Sequence, residues 1–221
     1  MDYHDDQHKY FSFAYQTGSD IWTHIPYRFR ADEIMPKLNE NALVLDIGAG
    51  RGLWTMSLLK RGYRVLGIDY VESIVESVNK RIAEEGFTDR ARFIVANALD
   101  IPFVDGGFDA VTDVGTFQHI KKHNWGTYVD ETCRVLKDKG YYLNISLSRL
   151  TYSFLGFEPS KSPTGDFQKF GVHYYFFDDE EIHNIFDSKF RIIEQSHQKY
   201  ESKSDPMDDV VLIFTLMRKN N

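Results

Sequence analysis

The sequence predicts an α/β fold built on one doubly wound, seven-stranded sheet that is mostly parallel with an antiparallel last strand and carries helices on both faces. Between positions 42 and 150, apolar blocks of strand length alternate with stretches of helical pattern, an order typical of a parallel sheet with crossover helices. Two further apolar runs near the C-terminus resemble a hairpin pair. A chain of 221 residues fits one domain, because single cores grow to about 250 residues before they divide.

The individual elements follow from the apolar pattern and from the residues that flank it. Gly62 and Gly86 follow the first two expected helices, at positions where a left-handed residue commonly ends a helix. The connection 97–109 carries Pro102 and Gly106-Gly107, and we expect it to be a loop. The expected parallel strands are Leu43–Ile47, Arg64–Ile68, Arg92–Ala96, Ala110–Val114 and Gly140–Ser146, with helices near 52–60, 71–85 and 125–137.

After position 150 the pattern changes. Asp178 is placed to cap a short helix that runs through Phe186, because a carboxylate at that position accepts hydrogen bonds from the first helical turn. Strands are expected at about 190–198 and about 210–217. The single domain 1–221 therefore divides into an aromatic, partly helical N-terminal segment (1–40), a core (41–150), an insertion (151–177) and a C-terminal helix with a strand pair (178–221).

Residues 1–30 and 151–177 hold 17 of the 33 aromatic residues. These side chains either pad the edges of the sheet or, as we favour, fold over its open end as a lid that lines a ligand pocket. Two walls are expected, one of Tyr10, Phe11, Tyr15, Trp22 and Tyr27, the other of Phe154, Phe157, Phe170, Tyr174 and Tyr175. The predicted substrate-pocket residues are Tyr15, Trp22, Tyr27 and Tyr174.

Composition excludes several classes of protein. The formal net charge is −7 and the basic residues are scattered, which disfavours nucleic acid as a partner. A lone cysteine, Cys133, allows neither an internal disulfide nor a cysteine-based zinc site. The acidic start lacks a secretory signal, and no apolar run reaches the length of about 18 residues that indicates a membrane span. We expect a soluble, cytoplasmic protein without a membrane partner, and its oligomeric state is left open.

A buried strand runs into three alternate glycines, Gly48, Gly50 and Gly52, and then into a helix. This is the pattern of a nucleotide site, because glycines allow a tight turn and close approach of backbone N–H groups to a ligand. Asp69 ends the next strand, where a carboxylate can accept both ribose hydroxyls. The dinucleotide pattern fails at its third glycine, where Leu53 stands. Asp46 is also unfavourable beside a pyrophosphate, whereas it suits a ligand with an ammonium group.

Over roughly residues 40–150 the sequence resembles the class I S-adenosylmethionine-dependent methyltransferases of small-molecule type, which have a Rossmann-like fold. The resemblance lies in the segments 44–52, 97–103, 108–115 and 136–143, which occur in the family's order. It implies S-adenosylmethionine as cofactor and S-adenosylhomocysteine as product. The implied cofactor-binding residues are Asp46, Gly48, Ala49, Gly50 and Gly52 at the methionine end, Asp69 and Tyr70 at the ribose, Asn97, Ala98 and Leu99 at the adenine, and Asp113 and Val114 facing cofactor and substrate.

Two of these assignments leave alternatives open. Asn97 can accept from the adenine amino group through its side-chain carbonyl or merely start a turn. His119 directly follows the fourth strand, where ligands bind, and can serve as general base, as substrate contact or in a structural hydrogen bond.

Methyl transfer from a sulfonium is a direct displacement. Alignment of the reacting atoms and exclusion of water therefore matter most for the reaction rate.

Other residues that could bind a metal or the cofactor have less support from the sequence. His119 and His123 have helical ligand spacing, but no third ligand accompanies them, and we predict no metal. Arg28 and Arg30 can reach the cofactor's carboxylate or form a solvated surface pair. Cys133 lies on the apolar side of an expected helix, as an inert core residue does.

The segment 113–116 lacks the prolines typical of enzymes that methylate nucleic-acid bases. Together with the negative charge, this disfavours DNA and RNA and favours a small, partly apolar substrate. Three rival functions remain at this point: a catalytically idle cofactor-binding regulatory protein, a protein methyltransferase, and a nicotinamide-dependent oxidoreductase.

Overall fold

The computed structural model describes residues 3–20, 22, 27–200 and 210–220. Its centre is a seven-stranded sheet with the strand order β3-β2-β1-β4-β5-β9-β8. The first five strands pair in parallel, whereas β9 is antiparallel to both of its neighbours, β5 and β8. The strands are β1 Leu43–Ile47, β2 Arg64–Asp69, β3 Ala91–Val95, β4 Phe108–Val114, β5 Leu136–Leu147, β6 Asp166–Lys169, β7 Val172–Tyr175, β8 Phe190–Tyr200 and β9 Val210–Lys219.

In the part of the chain that the structure describes, six α-helices accompany these strands. Their apolar faces pack on both sides of the sheet, and this arrangement confirms the predicted fold class. The helices are α1 Tyr3–Thr17, α2 Arg28–Ile34, α3 Leu53–Lys60, α4 Glu72–Glu84, α5 Trp125–Val135 and α6 Asp179–Phe186. None of the helices in these described ranges is long and apolar enough to cross a membrane.

Two hydrophobic clusters cover the two faces of the sheet. Trp54 on α3 and Val78 on α4 belong to one, and Tyr128 on α5 and Phe186 on α6 belong to the other. All four side chains are buried. Full burial of such a side chain stabilises the fold by about 1.5 to 3 kcal/mol, so the two clusters hold the sheet rigidly behind its loop-bearing edge.

Most predicted elements agree with the structure to within two residues, and one boundary differs more. Strand β5 begins at Leu136, four residues before the predicted start, and α5 ends correspondingly at Val135. The reason is that Leu136 is fully buried and pairs with Phe108 across an irregular register. The connection 97–107 contains no helix or strand, in agreement with the predicted loop.

The N-terminal cap of helix α6 was also predicted correctly. Asp178 accepts a hydrogen bond from the Glu181 backbone N–H at 2.9 Å, and the Glu181 carboxylate accepts one from the Asp178 N–H at 3.2 Å. This reciprocal capping box satisfies two donors at the start of α6 and contributes about 1 kcal/mol.

The insertion contains a small antiparallel hairpin, β6–β7, that the sequence pattern did not predict. Its two-residue turn is Phe170-Gly171, and both residues have positive φ, 54° and 77°. Such angles match the twist of a tight hairpin. Every residue of β7 is buried, so the hairpin is an integral layer of the domain.

Candidate active site

The loops that follow β1, β2, β3 and β4 meet at one edge of the sheet and enclose two adjoining cavities. The main chamber has a volume of about 240 Å³, and the small chamber beside it has about 50 Å³. Both are lined by Phe11, Tyr15, Trp22, Gly48 and Val114. The main chamber adds Gln7, Asp69, Tyr70, Asn97, Ala98, Gly115, Thr116, His119 and Ile120, and the small chamber adds Asp20, Tyr27, Asp46, Ala49, Gly50, Arg51, Leu53 and Trp54.

The glycine turn after β1 needs its glycines for steric reasons. Gly48 has φ 59°, and a Cβ there would lie 1.9 Å from Oγ1 of Thr116 in the turn after β4. The Gly50 N–H donates to Oδ2 of Asp69 at 2.9 Å, while Oδ1 of Asp69 accepts from the Val71 N–H at 3.0 Å. Asp69 therefore positions the turn as well as lining the main chamber.

Two of the three carboxylates that line the chambers, Asp46 and Asp69, lie at strand ends and are deeply buried. Asp46 accepts hydrogen bonds from the hydroxyls of Thr55, at 2.6 Å, and Thr112, at 3.0 Å. Burial raises the pKa of Asp46 to about 6 although both hydroxyls oppose the shift. Burial likewise raises the pKa of Asp69 to about 6, against hydrogen bonds from the backbone. A cationic ligand group would stabilise the ionised form of either side chain.

Asp113 lies outside both chambers, although the family resemblance implied that it faces the ligand. Its carboxylate accepts from the backbone N–H groups of Thr116, at 2.7 Å, and Phe117, at 2.9 Å, and from the Tyr128 hydroxyl. Burial raises the pKa of Asp113 to about 7, and these three donors oppose the shift. The side chain turns into the core because the chain after β4 folds back over it, and it supports the turn that carries His119.

His119 is 6% exposed and lines the main chamber. Its Nδ1 lies 2.7 Å from the carbonyl oxygen of His173, and because a carbonyl only accepts, Nδ1 carries the proton. Nε2 lies 3.4 Å from Nε2 of Gln118, whose Oε1 accepts from the Leu147 N–H at 2.9 Å. Burial lowers the pKa of His119 to about 4. The imidazole is therefore neutral near pH 7 with a defined tautomer.

Asn97 and Ala98 line the main chamber next to Asp69, whereas Leu99 does not. The Leu99 N–H donates to Oδ1 of Asn97 at 2.9 Å. Asn97 therefore starts a turn, as the second of the two alternatives predicted. Gly52 also lies off both chambers, and a Cβ there would lie 2.9 Å from the Val78 side chain.

Helix α1 forms the roof of the main chamber. Gln7, Phe11 and Tyr15 are spaced by four residues, so they share one face of the helix, and all three line the chamber. Trp22 packs so closely on Gly115 that a Cβ there would lie 2.1 Å from the indole. The aromatic residues predicted for the first wall thus lie at the chambers, except Tyr10, which stacks on Phe170 at 6.4 Å between ring centroids.

The prediction of a second wall from the insertion is wrong. None of its five predicted aromatic side chains lines either chamber. Tyr174 lies behind His119, with their ring centroids 5.0 Å apart, because β7 packs against the turn after β4. Phe157 stacks on Phe167 at 4.5 Å, Tyr175 packs on Trp125 of α5, and the exposed Phe170 stacks on Tyr10 of α1. The buried aromatic side chains of the insertion therefore support the site from the core.

The other candidates lie elsewhere. Arg30 pairs with Glu194 at 2.6 Å and with Glu33 at 3.2 Å, as the surface alternative predicted, and Arg28 lines neither chamber. Cys133 is half-buried, and burial raises the pKa of its thiol. Within the described ranges, no cluster of three or more His, Cys, Asp or Glu side chains could hold a metal ion.

The residues of the site that sequence reasoning missed include Gln7, Asp20, Arg51 and Trp54. Gln7 could have been found from its spacing of four residues to Phe11. Arg51 lies inside the glycine turn itself and Trp54 directly after it, so proximity to the motif was the available signal for both. Nothing in the local sequence distinguishes Asp20 from other acidic residues near the N-terminus.

Residues 44–140 match the model of a family described as a methyltransferase domain. Among curated relatives, demethylmenaquinone methyltransferase of Clavibacter sepedonicus is 36% identical over 97 residues, which cover 44% of this chain and 38% of that protein. EEF1A lysine methyltransferase 2 of Danio rerio is 32% identical over 152 residues, covering 61% of this chain and 63% of that protein. The chain spans less than two thirds of the length of these relatives.

Solved structures show the same fold. The 1,6-didemethyltoxoflavin-N1-methyltransferase of Burkholderia thailandensis, with bound 1,6-didemethyltoxoflavin and S-adenosylhomocysteine, gives a TM-score of 0.79 at 22% identity, covering 99% of this chain and 89% of that one. A methyltransferase from Methanosarcina mazei gives 0.68 at 21% identity, covering 83% of this chain and 94% of that one.

Proposed function

Because this chain belongs to the class I S-adenosylmethionine-dependent methyltransferases, whose cofactor is S-adenosylmethionine, we propose that it transfers the cofactor's methyl group to a small, partly apolar or aromatic molecule. One observation carries the proposal. The main chamber runs from Asp69 and the glycine turn to His119 under a roof of Phe11, Tyr15 and Trp22. A cofactor at one end and an acceptor at the other would meet inside a largely apolar enclosure.

The chemistry of the lining fits the cofactor. Asp69 offers a carboxylate for the ribose hydroxyls, with Tyr70 beside it. Asn97 and the backbone of Ala98 lie next to it and would meet the adenine. At the other end Asp46 offers a buried carboxylate for an ammonium group.

The remaining cofactor residues act in different ways in this proposal. Gly48, Ala49 and Gly50 would approach the methionine end through their backbone, and Val114 borders both chambers. Gly52, Leu99 and Asp113 line neither chamber. They would act indirectly, through the shape of the turns that carry the lining residues.

When bound, S-adenosylmethionine supplies an electrophilic methyl group on a sulfonium. The chain's own residues then have to align the acceptor and exclude water, and no covalent intermediate on the protein is needed. His119 is suited to hold an acceptor by a hydrogen bond. It is poorly suited as the main base, because its lowered pKa of about 4 lies far below the working pH at which a general base is effective. We therefore assign His119 as a substrate contact.

The roof also bears on the choice of substrate. Curated relatives act, by their names, on a quinone precursor and on a protein lysine. A protein substrate needs an open groove to admit a side chain, whereas Gln7, Phe11, Tyr15 and Trp22 line a chamber that is only partly open here. The partly covered chamber supports a small acceptor over a protein.

The test combines binding and turnover on the purified chain. Calorimetric titration with S-adenosylhomocysteine should show micromolar binding, and radiolabelled S-adenosylmethionine should methylate members of a panel of small phenols and nitrogen heterocycles. Labelling of a protein extract without labelling of the panel would instead favour a protein methyltransferase. Cofactor binding without any turnover would favour the idle regulatory protein, and absence of binding would reject the cofactor assignment.

A further inference from the structure

An ion pair joins the glycine turn to the segment that follows α1. The Arg51 Nε donates to Oδ2 of Asp20 at 2.8 Å, and the Arg51 Nη2 donates to the carbonyl oxygen of Tyr15 at 2.5 Å. The Asp20 side chain is only 5% exposed, and that of Arg51 is 28% exposed. Both side chains line the small chamber, so a carboxylate of the chain itself already lies at the methionine end of the proposed cofactor site.

The small chamber holds a second donor. Trp54 lines it and is 2% exposed, and its Nε1–H has no hydrogen-bond partner among the described residues. A buried N–H without an acceptor is costly. The acceptor oxygens of Asp46 in the same chamber already receive two threonine hydroxyls. The two donors, Arg51 and Trp54, and the carboxylate of Asp46 in one chamber complement the carboxylate and ammonium groups of a free amino-acid end.

Tyr15 covers the glycine turn in this arrangement. A Cβ on Gly50 would lie 3.0 Å from the Tyr15 hydroxyl oxygen, so the ring occupies the space next to the Gly50 backbone. A ligand that approaches this backbone has to displace Tyr15. Since Arg51 is bonded to the backbone carbonyl of Tyr15 and to Asp20, a backbone movement that carries the Tyr15 ring away from the turn also breaks the contacts of Arg51.

We propose that Arg51 exchanges the carboxylate of Asp20 for the carboxylate of the cofactor's methionine end, with Trp54 as a second donor, so that residues 15–20 act as a built-in competitor of the cofactor. The inference rests on the proposed function. It assigns Arg51 and Trp54 as cofactor-binding residues and Asp20 as a residue that opposes binding. Entry of the cofactor and release of this segment are then one coupled step.

Calorimetry with two ligands tests the exchange. S-adenosylhomocysteine carries the amino-acid end, and 5′-methylthioadenosine lacks it. Asp20→Asn should strengthen binding of S-adenosylhomocysteine by about tenfold and leave 5′-methylthioadenosine within about twofold. Asp6→Asn is the matched control, because it removes the same charge from an exposed site on α1 where the partner is Lys9, and it should change neither affinity.

The reverse variant gives an independent measurement should Asp20→Asn fold poorly. Arg51→Gln should weaken S-adenosylhomocysteine by about tenfold without affecting 5′-methylthioadenosine, and adding Asp20→Asn to it should have no further effect. Weaker binding of S-adenosylhomocysteine by Asp20→Asn, or equal changes for both ligands, would overturn the exchange while leaving the proposed function intact. If neither ligand binds the unmodified chain, the proposed function fails together with it.

Discussion

Three neighbouring strands end in buried carboxylates that behave differently. Asp46 and Asp69 line the chambers, whereas Asp113 accepts three hydrogen bonds from its own turn and from α5. The chain after β4 forms a short 3-10 helix, Phe117–His119, whose first N–H group points back at Asp113. After β1 the glycine turn carries its N–H to Asp69 on the neighbouring strand instead. The path of the following turn therefore decides whether a carboxylate at a strand end faces ligand or core.

The largest expected difference concerns stability. Asp113→Ala should lower the free energy of unfolding by about 4 kcal/mol, because two backbone N–H groups and the Tyr128 hydroxyl lose their acceptor in a buried site. Asp109→Ala on the same strand is the control and should cost about 1 kcal/mol, since its ion pair with Lys137 is partly exposed and one backbone N–H, that of Leu43, loses its acceptor. Urea denaturation followed by circular dichroism measures both. Equal losses would show that Asp113 is not a structural anchor.

Asp69→Asn should instead affect ligand binding. Affinity for S-adenosylhomocysteine is expected to fall by roughly 100-fold, because a charged acceptor for the ribose hydroxyls becomes neutral. The melting temperature should also fall, since the amide keeps only one acceptor oxygen for the N–H groups of Gly50 and Val71. Calorimetry measures the affinity, with Asp100→Asn on the exposed part of the neighbouring loop as control. Unchanged affinity in Asp69→Asn would remove Asp69 from the cofactor site.

The pH dependence of binding distinguishes the role of Asp46 from that of Asp69. Asp46 and Asp69 have pKa values raised to about 6, so lowering the pH from about 7 to about 5 protonates both in the empty protein. The ammonium group binds the ionised form of Asp46, and affinity for S-adenosylhomocysteine should therefore fall by about tenfold over this range. The dependence should be smaller for 5′-methylthioadenosine, which lacks that group. Identical pH profiles for the two ligands would contradict the assignment of Asp46.

The smallest effect is expected at His119, which is supported by the turn that Asp113 holds. His119→Gln should raise KM by about threefold to tenfold and leave kcat nearly unchanged, whereas loss of a general base would reduce kcat by about 10²- to 10⁴-fold. Steady-state kinetics with the best acceptor from the panel distinguishes these outcomes. The exposed His123 provides the matched control, His123→Gln.

The sheet and the glycine turn could be predicted because both depend on local pattern. Alternating apolar blocks specify parallel strands, and the glycines before α3 are required by short contacts such as that of Gly48 with Thr116. The direction of Asp113 could not be predicted in the same way, since one of its donors, Tyr128, lies 15 residues further along the chain.

The two aromatic segments also differ in whether local sequence or long-range packing determines the position of their side chains. In α1 the spacing of Phe11 and Tyr15 places both on the helix face that lines the chambers, whereas Tyr10, predicted for the same wall, stacks on Phe170 instead. In β7 all four residues are buried, so alternation between faces does not distinguish pocket from core. Phe157 and Tyr174 are as well suited to pack on other rings as to line a cavity, and only the hairpin's position behind His119 decides between these roles.

The close contact of Trp22 with Gly115 gives the molecule an intrinsic optical reporter. Of the three tryptophans, Trp54 and Trp125 are buried in the two hydrophobic clusters, and Trp22 is the half-buried one at the roof of the site. Its indole lies against the backbone of Gly115 and 5.8 Å from the ring of Tyr27, centroid to centroid. A change in the position of the roof would therefore alter emission and quenching of Trp22, without any introduced label.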